Sequence, residues 1–490
     1  MDTSPQGPEN IPRGSDKRIK PQIRRLARNA VALATGGLVA QLAFTLIEVL
    51  AARGLGAEAY GTFVTAYAWT VLGALLMELG TPHWTIQEGS RHHSRIPALL
   101  GSALTVNFFA FFTLYALIVV AAGLFPSNAV LSFLLILLPY GLILAVQSEL
   151  AAVYSSYQTM QVNAIFQGLA PVAILIVYFM YSARELTLTD VGFAYVVGGA
   201  VVTTVWFAYT LRRIRPQVSA QSIGETLRSS YQYALSGILG QVYFKTDIVM
   251  LSALAGLREA GIYAAAFKLV ELVYKVAVLS SRVFAPALFK ASHESDKTFQ
   301  IFVSMMTRFL AVAGLLAGVV SFVLAEEMIL LMFGESYTTS VPVLRILGGV
   351  MAAKCMLVSL QLLLSTVDLH FQRVANIGIT VVVHIGVNAV LIPKFGALGA
   401  ACATLVSGVL VVFLNIHSAS KRRRFSFLRW LLVPSCIAAF IAIAVSLTDV
   451  SSYLQATVSV LAFLAGLYLI GFIHRDEIRF VFHSLAGGRE

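Results

Sequence analysis

The sequence predicts an all-α integral membrane protein of 14 transmembrane helices, arranged as two pseudo-symmetric six-helix lobes around a central cavity plus two C-terminal helices. Three observations lead to the fold class and the number of helices: the composition, the apolar segments and the charge of the loops. The two lobes follow from an internal repeat, and the cavity follows from charged residues inside the predicted spans. Apolar residues make up 58% of the 490 residues and charged residues 12%, whereas soluble domains carry about 25% charged residues. The composition therefore excludes an ordinary soluble fold.

The apolar segments set the number of crossings. One helix needs about 20 mainly apolar residues to span a hydrocarbon core. Such segments begin near residues 29, 60, 98, 128, 162, 190, 231, 260, 301, 341, 373, 396, 428 and 453. The eighth of these segments is the least apolar, because it carries several charged residues.

The basic residues of the loops alternate from one side of the predicted membrane to the other. With the N-terminus in the cytoplasm, cytoplasmic loops hold the clusters at 212–215 and 421–424, and the opposite loops hold only isolated cations, Arg53, Arg184, Arg258 and Lys394. The positive-inside rule then predicts a multi-pass membrane protein with both termini cytoplasmic. Because topology accounts for most of the formal charge of +11, no nucleic-acid partner is expected.

An internal repeat divides the chain. Gln41 and Phe44 of the first helix match Gln241 and Phe244 of the seventh, about 200 residues later. The copies are six helices apart along the chain, so both halves have the same orientation, as in parallel transporter repeats. The predicted parts are a disordered basic cytoplasmic tail at 1–28, an N-lobe at 29–211, a basic cytoplasmic linker at 212–230, a C-lobe at 231–416, and the last two helices with a cytoplasmic tail at 417–490.

Charged side chains inside the predicted spans cluster in the second half of the chain. Each costs about 2.5–3.5 kcal/mol at the centre of a helix. Lys268, Lys275 and Arg282 are seven residues apart and therefore share one face of the eighth helix, which must face a polar interior. We expect a cationic cavity that binds an anion such as a pyrophosphate, formed by Lys245, Lys268, Lys275, Arg282, Arg308 and Lys354.

Two alternatives remain open for these charges. Embedded carboxylates are the usual carriers of ion coupling in transporters, and the candidates for coupling to H⁺ or Na⁺ are Asp247, Glu271, Glu48 and Glu78. The same carboxylates would also serve a purely structural role by pairing with the lysines, and Glu271 lies one turn from both Lys268 and Lys275. The sequence contains no motif of a soluble enzyme, and its three cysteines have no metal-binding spacing, so neither catalysis nor a cofactor is expected.

Four motifs then resemble a known family. They are AARGLGAEAYG at 51–61, DIVML at 247–251 followed by AGIY at 260–263, FGESY at 333–337, and Asn388 followed by LIPKFGALGAACAT at 391–404. In this order they resemble the motifs of Wzx-type polysaccharide and O-antigen flippases. These belong to the multidrug/oligosaccharidyl-lipid/polysaccharide exporter superfamily, and the resemblance extends over essentially the whole chain after the tail.

The resemblance implies a function. Members of this family flip undecaprenyl-pyrophosphate-linked oligosaccharide repeat units from the cytoplasmic to the outer leaflet by alternating access, and ion-coupled antiport would supply the energy. The implied location is the bacterial cytoplasmic (inner) membrane. The implied partners are this lipid-linked oligosaccharide, the membrane lipids, and the polysaccharide polymerase and chain-length machinery. Alternatives are an exporter of lipid II or of another substrate within the superfamily, and, in a different class, a membrane glycan polymerase or ligase. The short outer loops disfavour the last of these.

Overall fold

The computed structural model describes residues 16–125, 128–181, 186–294, 296–421, 427–446, 448 and 451–469, and helices account for nearly all of them. The helices are α1 Asp16–Glu78, α2 Thr81–Arg91, α3 Ile96–Leu124, α4 Ala129–Ser156, α5 Met160–Tyr181, α6 Leu188–Leu211, α7 Ala220–Leu254, α8 Leu257–Glu294, α9 Asp296–Val323, α10 Ala325–Phe333, α11 Ser340–Thr366, α12 His370–Ser420, α13 Phe427–Ser446 and α14 Ser452–Leu469.

Two of these helices contain a break. Gly56 in α1 has φ 74° and Gly396 in α12 has φ 54°, values that glycine adopts without steric cost. Each long helix is therefore two consecutive segments joined by a tight turn. By length and apolar composition, nine of the helices built from described residues are able to cross a membrane. The chain is a multi-span helical membrane protein.

Two boundaries differ from the sequence prediction. Helix α1 begins at Asp16, so residues 16–28 of the predicted disordered tail are helical, while residues 1–15 lie outside the described part. This segment holds two Lys and four Arg among its 13 residues, and these residue types favour helix and extend the apolar helix that follows. Helix α7 begins at Ala220, inside the predicted linker 212–230, where the Ser219 side chain accepts a hydrogen bond from the Ser222 backbone N–H at 3.1 Å. The predicted tail at the C-terminus, from residue 470 onward, also lies outside the described residues.

The helices pack in two groups. In the first bundle, α1–α6, α1 packs against α4 and α5, and α5 packs against α6. In the second bundle, α7–α12, α11 packs against α8, α9 and α12, and α7 packs against α12. Helices α13 and α14 pack against α9. The two bundles meet mainly where α1 lies along α8 and α7.

The two ends of this assembly differ. The kink end carries four of the five described glycines with positive φ, Gly56, Gly256, Gly334 and Gly396, and the fifth, Gly80, precedes α2. The α2 end carries the short helix α2 of the first bundle, which contacts α7 of the second bundle. The His83 ring stacks on Tyr233 of α7, and Tyr233 donates a hydrogen bond to Gln87. Within the first bundle, the Thr81 and Thr85 hydroxyls of α2 both donate to the buried carboxylate of Glu149 on α4.

Candidate functional site

A cavity of about 400 Å³ lies between the two bundles. Helix α1 contributes both of its segments to the wall, and α7 and α8 contribute the opposite side. The lining combines aromatic and aliphatic side chains with polar and charged ones from both sides of the cavity; it comprises Gln41, Phe44, Glu48, Phe63, Val64, Tyr67, Val71, Gln241, Phe244, Lys245, Ile248, Ala264, Phe267, Lys268, Glu271, Tyr274 and Lys275. The repeat-related residues Gln41 and Gln241, and Phe44 and Phe244, thus face the same cavity from opposite bundles.

An ion-pair network crosses the cavity. Lys268 Nζ lies 2.6 Å from Glu48 Oε1 of the first bundle and 3.0 Å from Glu271 Oε2 on its own helix. Lys245 Nζ lies 3.5 Å from the other oxygen of Glu271. The Lys268 side chain is only 5% exposed. A buried ammonium group needs such partners, because desolvation without compensation is costly.

The balance of charge at the cavity wall is slightly positive. Three lysines and two glutamates line it, and Lys275 is the most exposed of the five charged side chains. Lys268 and Lys275, predicted to share one face of their helix, both line the cavity. The pairing of Glu271 with Lys268 also follows the spacing of one helical turn.

Lys354 lies behind the cavity wall. Its side chain on α11 is 2% exposed, and its Nζ lies 3.8 Å from the Phe244 ring centroid and 5.0 Å from that of Tyr243. Phe267 and Tyr274 complete this aromatic cage, at 5.4 Å and 5.8 Å. Aromatic faces attract a cation through their quadrupole, most strongly when the cation is desolvated. The aromatic residues Phe244, Phe267 and Tyr274 thus separate Lys354 from the cavity that they line.

A second polar cluster lies deeper in the second bundle, around Asp247. Its Oδ1 is 2.9 Å from His384 Nε2 and accepts from Asn388 Nδ2 at 2.8 Å. Its Oδ2 accepts from the Tyr263 and Thr404 hydroxyls at 2.7 and 2.9 Å. Asp247 and His384 are 2% and 0% exposed. The pair is therefore enclosed by apolar helices, with every carboxylate oxygen hydrogen-bonded.

The remaining predicted residues lie elsewhere. Glu78 ends α1 at the α2 end, beside Ser148 and close to Glu149. Arg308 is half-buried on α9 and does not line the cavity. Arg282 lies on α8, but its side chain is outside the described part of the structure. Among the described side chains, no three His, Cys, Asp or Glu residues come together in a way that would hold a metal ion.

Sequence reasoning did not identify His384. It is a single polar residue within an apolar run and has no periodic pattern of its own. Its one indication was Asn388, four residues later on the same helical face, which belongs to the last of the four motifs. The contact between His384 and Asp247 joins α12 to α7, and only the packing of the helices reveals it.

The helical architecture is similar to that of two solved membrane transporters. The lipid II flippase MurJ in an inward closed conformation superimposes with a TM-score of 0.74 at 14% identity, covering 92% of this chain and 100% of that one. An outward-facing multidrug transporter of the MATE family of the MOP superfamily superimposes with a TM-score of 0.61 at 12% identity, covering 81% and 96%. These similarities establish the fold.

The sequence profile of the polysaccharide biosynthesis protein family matches residues 26–292, more than half of the chain. The chain belongs to this family. It is also 30% identical over 203 residues to the probable flippase AglR of Haloferax volcanii, which is 39% of this chain and 42% of that relative. The alignments to the curated relatives span between 42% and 58% of each relative's length.

Proposed function

We propose that this protein is a flippase that moves an undecaprenyl-pyrophosphate-linked oligosaccharide from the cytoplasmic to the outer leaflet by alternating access. The observation that carries the proposal is the buried ammonium group of Lys268, held between Glu48 and Glu271 at the seam of the two bundles. Membership of the polysaccharide biosynthesis family supports the class of substrate. The surplus of lysine over glutamate at the cavity wall supports an anionic headgroup.

The proposal includes a topology of fourteen crossings. Each segment of α1 and of α12 would cross once, and α3–α9, α11, α13 and α14 once each, while α2 and α10 are too short to cross. The bundles α1–α6 and α7–α12 then correspond to the two six-helix lobes. The positive-inside rule supports an orientation with the kink end outside and the α2 end on the cytoplasmic side of the inner membrane.

The ion-pair network suggests how an anionic headgroup would act on the bundles. Glu48 belongs to α1 and Lys268 to α8, so this pair joins the two lobes across the cavity. A pyrophosphate competes with Glu48 for Lys268, because both offer anionic oxygens to the same ammonium. Binding would therefore weaken one contact between the lobes in the state that receives the substrate. Glu271 retains Lys245 at 3.5 Å and holds the second-lobe side of the site together.

The buried pair of Asp247 and His384 is our proposed site of H⁺ coupling. The pair is enclosed, and histidine is the residue type whose charge changes most readily near neutral pH. The titratable or charged groups near this pair are Tyr263, Tyr243 and Lys354. Tyr243 contacts both the His384 ring, at 5.4 Å, and the Lys354 ammonium, at 5.0 Å. A change of charge at His384 thus has a short path to the aromatic wall of the cavity.

Leaflet-resolved flipping in proteoliposomes tests the transport proposal. We expect Lys268→Ala to reduce the flipping rate of a polyprenyl-pyrophosphate-linked oligosaccharide by about 10²-fold or more, the equivalent of about 3 kcal/mol. Lys394→Ala is the matched control, because Lys394 is an exposed lysine away from the cavity and its loss should leave the rate unchanged. Equal rates for both variants would refute the assignment of the site.

Imposed gradients test the coupling proposal separately. We expect an inward-directed H⁺ gradient to accelerate export by the parent protein and to have no effect on His384→Gln. A Na⁺ gradient of the same size should change neither. Acceleration of the parent by Na⁺ alone would contradict H⁺ coupling without affecting the transport assignment.

A further inference from the structure

The two bundles touch backbone to backbone at the kink end. Gly61 of α1 lies against Leu257 of α8, and Gly261 of α8 lies against Ala57 of α1. A Cβ atom on Gly61 would lie 1.7 Å from the Leu257 carbonyl oxygen, and one on Gly261 would lie 2.0 Å from the Ala57 carbonyl oxygen. Both glycines have ordinary helical φ values, so it is space alone that excludes a side chain.

These two contacts are images of each other. Gly56 and Gly256, Ala57 and Leu257, and Gly61 and Gly261 each stand 200 positions apart, at the spacing of the internal repeat. In both halves a glycine with positive φ begins a helix, the next residue presents its carbonyl, and a glycine one turn later receives the carbonyl of the opposite half. Small residues allow membrane helices to approach this closely.

Side chains close the same end around these contacts. Arg53 donates from Nε to the Met332 carbonyl at 2.8 Å and from its other arm to the Leu331 carbonyl at the end of α10. The Tyr337 hydroxyl donates to the Ala52 carbonyl at 2.9 Å. Both interactions join the first bundle to the second. The Tyr337 ring also packs against that of Tyr60, the residue before Gly61, with the ring centroids 6.2 Å apart.

We infer that Gly61 and Gly261 form a backbone clasp that seals the cavity at the kink end, and that its two halves separate when the cavity opens there. This inference rests on the proposed alternating-access function. The contact itself is between backbones, so no side chain at Gly61 or Gly261 has to re-pack during opening, and its two repeat-related halves close and open together. A methyl group at either glycine acts as a wedge, which displaces the closed state in favour of the open one.

Pulsed electron paramagnetic resonance tests the clasp without any substrate. Spin labels are placed at Glu58→Cys of the first bundle and Ser336→Cys of the second, both exposed positions at the kink end. The three native cysteines, Cys355, Cys402 and Cys436, are replaced by alanine. We expect Gly61→Ala with Gly261→Ala to shift the distance distribution from a short component to a predominantly longer one. An unchanged distribution in a folded protein would overturn the clasp.

A matched control lies inside the second bundle. Gly318 of α9 and Gly348 of α11 also meet backbone to backbone, and a Cβ on Gly318 would lie 2.5 Å from the Gly348 carbonyl oxygen. Gly318→Ala therefore introduces a similar clash within one bundle, and we expect lower thermal stability with no change in the label distance. A longer label distance in Gly318→Ala would show that any packing defect opens this end, and would also overturn the clasp.

A second variant applies where the double alanine protein does not fold. Arg53→Ala with Tyr337→Phe removes the flanking hydrogen bonds without adding a group, and we expect a smaller shift in the same direction. No shift in this variant would count against the seal. Flipping by the parent protein is measured separately. A lengthened distance in the glycine variant with no flipping by the parent protein rejects the transport proposal and keeps the clasp. An unchanged distance with flipping by the parent protein rejects the clasp and keeps the transport proposal.

Discussion

Replacement of Lys268 by methionine removes one ammonium group from between two carboxylates. Lys268 is 5% exposed, and its Nζ lies 2.6 Å from Glu48 and 3.0 Å from Glu271. Breaking a buried ion pair by removing one partner costs about 3–5 kcal/mol of folding free energy, because the other charge stays buried. Glu48 is 13% exposed and Glu271 keeps Lys245. We therefore expect Lys268→Met to lower the free energy of unfolding by about 3 kcal/mol, at the lower end of that range.

A second substitution separates stability from function. Lys268→Met combined with Glu48→Gln removes the stranded carboxylate, and we expect the double variant to recover most of the lost free energy, within about 1 kcal/mol of the parent. Flipping should remain lost in the double variant, because the ammonium group is still absent. A stable but inactive protein is thus the expected outcome.

Equilibrium unfolding in mixed detergent micelles, followed by circular dichroism, measures these differences. Lys394→Met is the control, because exposed substitutions usually change stability by less than about 0.5 kcal/mol, and Lys394 is exposed. The reasoning is refuted if Lys268→Met is as stable as Lys394→Met. It is also refuted if the double variant remains as unstable as the single one.

Three further predictions concern other buried polar groups. Asp247→Asn should flatten the pH dependence of flipping, because His384 loses its charged partner; a pH–rate profile in liposomes checks this, and an unaltered profile speaks against coupling at this pair. Thr85→Val should destabilise the fold by about 1–3 kcal/mol, since Glu149 loses a hydrogen-bond donor. Thr85→Ser keeps the hydroxyl and should be as stable as the parent protein in the same unfolding assay. Lys354→Met should retain binding of a pyrophosphate-linked lipid, because aromatic side chains separate it from the cavity; loss of binding in a titration would place it in the site.

The sequence was informative wherever a feature depends on spacing along one helix. The shared face of Lys268 and Lys275 follows from their separation alone. The spacing also limits the partner of Glu271 on its own helix to Lys268 or Lys275, and the structure shows a contact with Lys268. The turns at Gly56 and Gly396 also fall between apolar segments counted from the sequence. These features are local, so the chain itself determines them.

Features that depend on how helices dock were not predictable. Glu48 of α1 contacts Lys268 of α8 across the interface between the two helices. This contact depends on how the two helices are rotated against each other, which residue spacing along one helix does not specify. The sequence predicts Lys354 in the cavity, but three aromatic side chains from α7 and α8 lie between its ammonium group and the cavity. His384 was overlooked because its partner Asp247 lies on a helix far away in the chain.

Recognition of an anionic headgroup is the central claim, and paired substrates test it most directly. Flipping is measured in proteoliposomes for two polyprenyl lipids with the same oligosaccharide, one linked through pyrophosphate and one through a neutral glycosidic bond. We expect the parent protein to flip the pyrophosphate-linked lipid at least about 10²-fold faster, equivalent to about 3 kcal/mol, and Lys268→Ala to abolish that preference. Equal rates for the two lipids in the parent protein would contradict a pyrophosphate site at Lys268.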